Sequence, residues 1–281
     1  MIITKILGGL GNQMFQYAIA RAIAVQKEDV CKLDLSGFEN YKLHNGYRLD
    51  AFDIRAEIAS PQEVKMLKGS ADLISKIWHK LFRLSSPHYY REKEHTRYDC
   101  EVFNQEHIYL EGYWQNAKYF ECIRTQLIQD FTIMKSLNDS VKKIKKDIEN
   151  CSSVSIHVRR GDYLNHPDVG VLEIEYYQRA IEFVSEKVEN PRYFVFSNDL
   201  EWCKENFRTI KNLTFVEDGS DEFDDLLLMS CCKNNIIANS SFSWWGAWLN
   251  INSDKIVVAP KQWMKVNPNG YRWAQDSWKE L

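Results

Sequence analysis

The apolar positions of the chain fall into short strand-like runs separated by stretches of helical spacing. Ile2-Ile3-Thr4-Lys5-Ile6-Leu7 reads as a strand. It runs into Gly8-Gly9-Leu10-Gly11-Asn12-Gln13, and a helical stretch follows to about Lys27. Val30 to Leu35 reads as the next strand, so the chain opens with the strand–glycine loop–helix–strand unit of a parallel α/β sheet. Ser60-Pro61-Gln62-Glu63 is a capping box with proline at the first helical position, which predicts a helix start. Leu73, Ile74, Ile77, Trp78, Leu81 and Phe82 then recur at helical spacing with Lys76, Lys80 and Arg83 between them. Such a helix either faces a core with a wet basic side, the commoner case, or gives residues 70 to 84 a peripheral hold on a membrane surface. Ser136 to Asn150 predicts another amphipathic helix, with Val141, Ile144 and Ile148 on one side, and the interdomain connection is placed near it.

Strands and helices alternate again beyond that point. Ser153 to Val158, Arg192 to Phe196, Leu213 to Val216, Asn235 to Ala238 and Lys255 to Ala259 read as strands. Helical stretches lie between them over Glu175–Val188, Leu200–Phe207, Asp224–Cys232 and Ser243–Leu249. The fold class expected is α/β, with two Rossmann-like domains facing each other across a cleft. Residues 1–150 form the first, residues 151–260 the second, and residues 261–281 pack back onto the first.

Composition narrows the function classes. A net charge of −3 gives no general attraction to nucleic acid or acidic lipid. No run approaches the roughly 20 apolar residues of a membrane span, so no integral membrane segment is expected, and the first eight residues are too short for a signal peptide. The seven cysteines are odd in number and include no C-x-x-C pair. Cys231 and Cys232 are adjacent in an apolar stretch, where buried free thiols are the expectation, so the chain reads as a reduced, cytoplasmic protein. The high Trp and Tyr content suits rings stacked on sugar faces, although large cores use them too.

Three constellations carry candidate chemistry. Gly9-Leu10-Gly11-Asn12-Gln13-Met14 begins like a dinucleotide fingerprint, with Asp34 near the end of the second strand, but Met14 stands where the third glycine belongs. What remains is a glycine loop of Gly9 and Gly11 opening a helix toward a ligand, with Asn12 and Gln13 adding amide groups suited to hydroxyls. His157-Val158-Arg159-Arg160-Gly161-Asp162-Tyr163 is stronger, because burying so much charge at a strand end for structure alone is costly. Strand alternation sends Arg159 and Arg160 to opposite faces, unless the strand ends between them. One guanidinium is then free to grip a pyrophosphate while the other pairs with Asp162, and the sequence does not say which does which. Asn239-Ser240-Ser241-Phe242-Ser243-Trp244-Trp245-Gly246 opens a helix with three hydroxyls, a phosphate cradle without a P-loop lysine. Trp244 and Trp245 are expected in the core. No D-x-D pair and no metal-spaced ligand set occurs in the sequence.

These residues, together with Gly8 to Ala18 and Asn239 to Trp248, resemble the motifs of bacterial α-1,2-fucosyltransferases, the family 11 glycosyltransferases. The resemblance implies a GT-B fold, GDP-β-L-fucose as donor, a galactose-containing glycan acceptor, inversion to an α linkage, and no cofactor or metal. It places His157, Arg159 and Arg160 on the GDP moiety, with Asp225 (or, second, Asp224) on the guanine. Ser240, Ser241, Phe242 and Ser243 contact phosphate and base, Ser197 and Asp199 belong to a further strand-end motif, and Asn12 stands beside the reaction centre. Asp162 is expected to bind donor or to be structural. No general base is evident, and His166 and Asp168 are merely the nearest candidates in the following loop. A carbohydrate-binding module and an NAD-dependent oxidoreductase are the competing classes. The first leaves the paired arginines and the serine cradle unexplained, and the second rests on the incomplete glycine fingerprint.

Overall fold

The computed structural model describes residues 1–38, 46–69, 88–217, 221–266 and 271–281. The amphipathic stretch 70–84 lies outside the described residues. The chain forms two compact units, Met1–Met134 and Lys135–Leu281.

In the first unit, β1 (Ile2–Lys5), β2 (Cys31–Asp34), β3 (Glu57–Ile58), β4 (Tyr89–Arg91) and β5 (Ile108–Glu111) make an all-parallel sheet in the order β3-β2-β1-β5-β4. Helix α1 (Leu10–Lys27) is buried over most of its circumference, with Met14, Phe15, Tyr17, Ala18 and Ile19 all inside. It ends where Glu28 turns left-handed at φ 52, its N–H bonding back to the Val25 carbonyl. Tyr17 and Arg21 both bond Asp130, which ends α3 (Arg124–Asp130), so the buried carboxylate is doubly satisfied. Helix α2 (Pro61–Lys68) starts at the expected box, Ser60 and Glu63 capping each other.

The second unit begins with α4 (Asp139–Glu149) and continues through β6 (Ser152–Val158), α5 (Ile174–Ser185), β7 (Pro191–Ser197), α6 (Leu200–Asn206), β8 (Leu213–Phe215), α7 (Glu222–Cys231), β9 (Asn234–Ile236), α8 (Ser241–Leu249), β10 (Val257–Ala259) and β11 (Lys279–Glu280). Its sheet is parallel in the order β11-β10-β9-β6-β7-β8. Successive strands step away from β6 in one direction and then, from β9, in the other. The β6/β9 pair is therefore the switch point, where the carboxyl ends of a doubly wound sheet leave a crevice.

Two boundaries differ from expectation. The Ser136–Asn150 stretch begins the second unit instead of closing the first, because Val141 and Ile148 of α4 bury against Phe194, Phe196, Leu228 and Met229. The chain end also belongs to the second unit. β11 pairs with β10, and the indole N–H of Trp244 donates to the Trp273 carbonyl at 2.6 Å.

Candidate active site

Both faces of β6 are covered, so its side chains sort by alternation. Val154, Ile156 and Val158 join Tyr176, Tyr177 and Cys203 on the side of α5 and α6. His157 points the other way and lies 5.5 Å, centroid to centroid, from the ring of Phe242 at the start of α8. It is 4% exposed, and its Nδ1 has no hydrogen-bond partner. Burial, reinforced by the nearby Arg159 charge, pushes its pKa down to about 3, so the ring is neutral at ordinary pH. A buried ring nitrogen lacking a partner is costly unless a ligand completes it.

The alternation carries on past the strand end. Arg159, on the His157 side, pairs with Asp162: Nη2 donates to Oδ2 at 2.9 Å, and Nε lies 2.8 Å from Oδ1 without completing a hydrogen bond. Its guanidinium also lies 5.6 Å from the Tyr163 ring centroid. Burial disfavours the Asp162 charge, yet Arg159 and Asn198 outweigh it and hold the carboxyl below its usual range. Arg160 turns to the other face. It stacks over Trp202 of α6 at 4.2 Å, pairs with Asp199 at 3.5 Å, and its side chain is only 12% exposed.

Asn198 ties these turns together, and it was absent from the expected site residues. Its Oδ1 accepts from the Arg160 and Gly161 N–H groups at 3.0 and 3.3 Å, and its Nδ2 donates to Asp162 at 3.1 Å. A side chain at Gly161 would press on it, since a Cβ there lies 2.7 Å from Nδ2. The signal was its place in Ser197-Asn198-Asp199, directly after β7. Its flanking residues are spent locally: the Ser197 hydroxyl accepts the Asp199 N–H, and Asp199 caps α6 through the Trp202 N–H.

The serine cradle is smaller than three hydroxyls. Ser240 is the N-cap of α8, accepting from the Phe242 N–H at 3.3 Å. Ser243 is fully buried, and its hydroxyl is directed at the Ala238 and Ser240 carbonyls, both at 3.2 Å. Its hydroxyl is not available to a ligand; Ser241 and the first-turn N–H groups are what this helix start offers. Trp244 and Trp245 are buried in a ring cluster with Trp248, as expected of core residues. Asn239 donates to the Gly170 and Trp263 carbonyls, while its buried Oδ1 has no partner. It lines a cavity of about 890 Å³ that Tyr163, His166 and Arg179 also border.

Asp224 is taken up structurally. It is buried, it completes the cap of α7 with Asp221, and it pairs with Lys135 at 2.8 Å. Asp225 lies half-buried in the same first turn. α7 and α8 both return from the carboxyl edge of a parallel sheet, so their first turns share that edge. His166 and Asp168 are exposed, and the Asp168 carbonyl accepts the Lys265 N–H.

In the first unit the glycine that the turn requires is Gly8, at φ +80, whereas Gly9 has an extended backbone as the N-cap of α1. Gln13 is not a ligand-facing amide. Its Nε2 donates to the Gly8 and Gly46 carbonyls and its Oε1 accepts from the Arg48 N–H, all at 2.9 Å. Asn12 is half-buried at the same edge, its Oδ1 accepting from Gln115 Nε2 at 2.8 Å. Met14 is fully buried where a dinucleotide fingerprint needs glycine, and Asp34 is held by the Tyr109 hydroxyl and the Ser36 N–H. The glycine loop is thus a built turn and not a nucleotide fingerprint.

Residues 52–277 match the family described as glycosyl transferase family 11. The chain belongs to that family. It is 36% identical over 274 residues to an α-1,2-colitosyltransferase of Escherichia coli, covering 94% of this chain and 93% of that one. The O-antigen biosynthesis glycosyltransferase WbnK of Escherichia coli is 33% identical over 300 residues, covering 98% of both. A galactoside α-(1,2)-fucosyltransferase 2 of Hylobates lar is 26% identical over 266 residues, covering 90% and 70%. Among solved structures, the fucosyltransferase NodZ from Bradyrhizobium superposes with a TM-score of 0.55 at 13% identity, covering 87% of this chain and 92% of that one. That likeness concerns the fold, and this family 11 chain has the two Rossmann-like α/β units of a GT-B glycosyltransferase.

Proposed function

We propose that this family 11 glycosyltransferase moves L-fucose from GDP-β-L-fucose to a galactosyl hydroxyl of a glycan, forming an α-1,2 linkage with inversion and without a metal. The observation that carries the proposal is the grouping on one face of β6: the Arg159–Asp162 pair, the neutral His157 with its unpartnered nitrogen, and the start of α8. As the bond from the sugar C1 to the β-phosphate oxygen breaks, the electron pair goes to that oxygen. Arg159, preset by Asp162, and the first-turn N–H groups of α8 stabilise the charge as it develops. The reading thus gives the diphosphate to Arg159 and a bracing role to Arg160. His157 and Asp225 are proposed for the guanine. Asn12 is proposed beside the reacting groups, on the acceptor side.

A colitosyl group is the second reading for the sugar, favoured by the relative at 36% identity. Among the described residues no helix is long and apolar enough to cross a membrane. The proposal places the reaction in the cytoplasm, in the assembly of a surface polysaccharide or oligosaccharide. The experiment is a transfer assay with GDP-fucose and GDP-linked colitose on a galactoside acceptor array, with and without EDTA, the linkage read by NMR. Transfer of fucose to the 2-hydroxyl, undiminished by EDTA, is the expected result. Exclusive use of the colitosyl donor replaces the sugar, loss of activity in EDTA removes the metal-free claim, and a chain inert with both donors sinks the proposal.

A further inference from the structure

β6, β9 and β10 are neighbours in the second sheet, and the segments that follow them line the cavity of about 890 Å³. All the described residues that line it belong to the second unit. Its walls are two loops tied to each other. The Lys265 N–H, after β10, donates to the Asp168 and Val169 carbonyls, after β6, at 2.8 and 3.2 Å, and the Val266 N–H reaches the Asp168 carbonyl at 3.2 Å. Gly170 turns the first loop at φ 74, which glycine adopts without strain. Tyr176 of α5 also borders the cavity, its hydroxyl fixed on the Ile237 carbonyl at 2.7 Å.

Asn239, after β9 and only 2% exposed, joins the two walls. Its Nδ2 donates to the Gly170 carbonyl of one and the Trp263 carbonyl of the other, both at 3.2 Å. Both partners only accept, so the amide cannot be turned around, and the side left over is the oxygen. That Oδ1 has no hydrogen-bond partner. A buried acceptor in this state is costly, and a ligand that brings a donor removes the cost. Glu173, Glu175, Arg179, Lys261 and Lys265 stand exposed around the same cavity, and among the described residues none of them makes a salt bridge.

We infer that this cavity is a second ligand site and that it takes a neutral saccharide. An anion would meet the two carboxylates and the Asn239 oxygen, and a cation would meet Arg179 and the two lysines. A compound rich in hydroxyls suits both signs at once. Each hydroxyl donates to a carboxylate or amide oxygen and accepts from a guanidinium or ammonium group. Its C–H faces pack on Val169, Val171 and the Tyr163 ring. The volume stands at the upper end of the roughly 300–1,000 Å³ of ligand pockets, room for more than one sugar ring. In a family 11 glycosyltransferase such a compound is a glycan, held here by the second unit alone. The site is not the His157 face of β6, since it borders α5, which packs on the opposite face. Tyr163 borders both, its ring centroid 5.6 Å from the Arg159 guanidinium. The inference goes beyond the transfer reading and stands without it.

The test is calorimetric titration of the full chain with neutral galactose-terminated oligosaccharides of two to four sugars, with GDP and with inorganic phosphate. Wild type binds the oligosaccharide with and without saturating GDP. Gln262→Trp and Val171→Trp, which put an indole into the cavity from its two walls, each bind one equivalent less. Arg179→Ala and Glu175→Gln weaken that equivalent about tenfold or more, the scale of a charged hydrogen bond. All four variants keep the wild-type affinity for GDP. If Val171→Trp does not fold, the variants at the exposed Gln262, Arg179 and Glu175 decide the matter. Oligosaccharide binding that survives every variant overturns the inference, as does a wild type that binds no oligosaccharide. Loss of GDP or phosphate binding in Arg179→Ala makes the cavity an anion site and overturns it too. Each of these results leaves the transferase reading to its own assay. A chain that transfers no sugar yet loses saccharide binding in these variants fails that reading alone.

Discussion

Nε of Arg159 lies 2.8 Å from Oδ1 of Asp162, and the second contact between the two side chains is 2.9 Å. The Nη2 hydrogen bond and the close Nε contact restrain the guanidinium, so its remaining donors are oriented before any ligand arrives. The next residue, Arg160, stacks on Trp202 and lies 3.5 Å from Asp199, while its buried Nε and Nη1 have no hydrogen-bond partner.

Arg159→Lys keeps the charge but loses the fork. The expected result is a fall in kcat/KM for the sugar nucleotide of about 10²–10³, the scale of losing one preorganised oxyanion donor. Asp162→Asn keeps the shape and weakens the orientation, and is expected to cost about 10–100-fold, as for a charged hydrogen bond. Steady-state kinetics with saturating acceptor measures both. An Asp162→Asn effect larger than that of Arg159→Lys would assign Asp162 a role of its own.

Arg160→Ala is expected to act on stability. It removes a cation–π stack and exposes the face of Trp202, a loss of about 1–3 kcal/mol in urea unfolding. GDP affinity of the folded protein stays near the wild-type value. A large loss of GDP affinity with unchanged stability would reverse the roles of the two arginines.

His157 links stability to acid. Its native pKa of about 3 lies below the ordinary histidine value, so between those limits the unfolded chain binds a proton that the native chain does not. Stability contributed by this group is fully present above about pH 6.5 and is lost as pH falls, at about 1.4 kcal/mol per pH unit. His157→Gln should flatten that part of the stability profile, measured by denaturant unfolding from pH 7 to pH 4. An unchanged slope would mean the ring is protonated in the native state.

Gly161→Ala and Asn198→Ala disturb one contact from its two sides. The alanine methyl meets Nδ2 of Asn198 at 2.7 Å, and Asn198→Ala removes the tether of Arg160, Gly161 and Asp162. Both variants should raise KM for the donor, and the double variant should be clearly less than additive. Additive effects would show that the two positions act separately.

Much of the second unit was legible in the sequence because its strands are apolar and its strand ends are not. Charge at the end of β6 marked His157 to Tyr163, and alternation alone implied that the arginines diverge. Which arginine faces which way depended on Trp202, a residue on α6 that no local pattern points to. The serine cradle was overcounted because a capping serine and a ligand-binding serine look alike in sequence; the direction of the Ser243 hydroxyl separates them. Gln13 misled for the same reason, as its amide is consumed by backbone groups from two loops. β4 is only Tyr89-Tyr90-Arg91, too short for periodicity to mark it. The Ser136–Asn150 helix has one apolar side that either domain could have buried.

The most direct test of the central claim, a donor diphosphate held by Arg159 on the His157 face of β6, is calorimetric titration of GDP into wild type, Arg159→Ala and Arg160→Ala. The account predicts GDP binding by wild type, a loss of about 10²-fold or more for Arg159→Ala, and near-wild-type affinity for folded Arg160→Ala. Undiminished GDP binding by Arg159→Ala would contradict it.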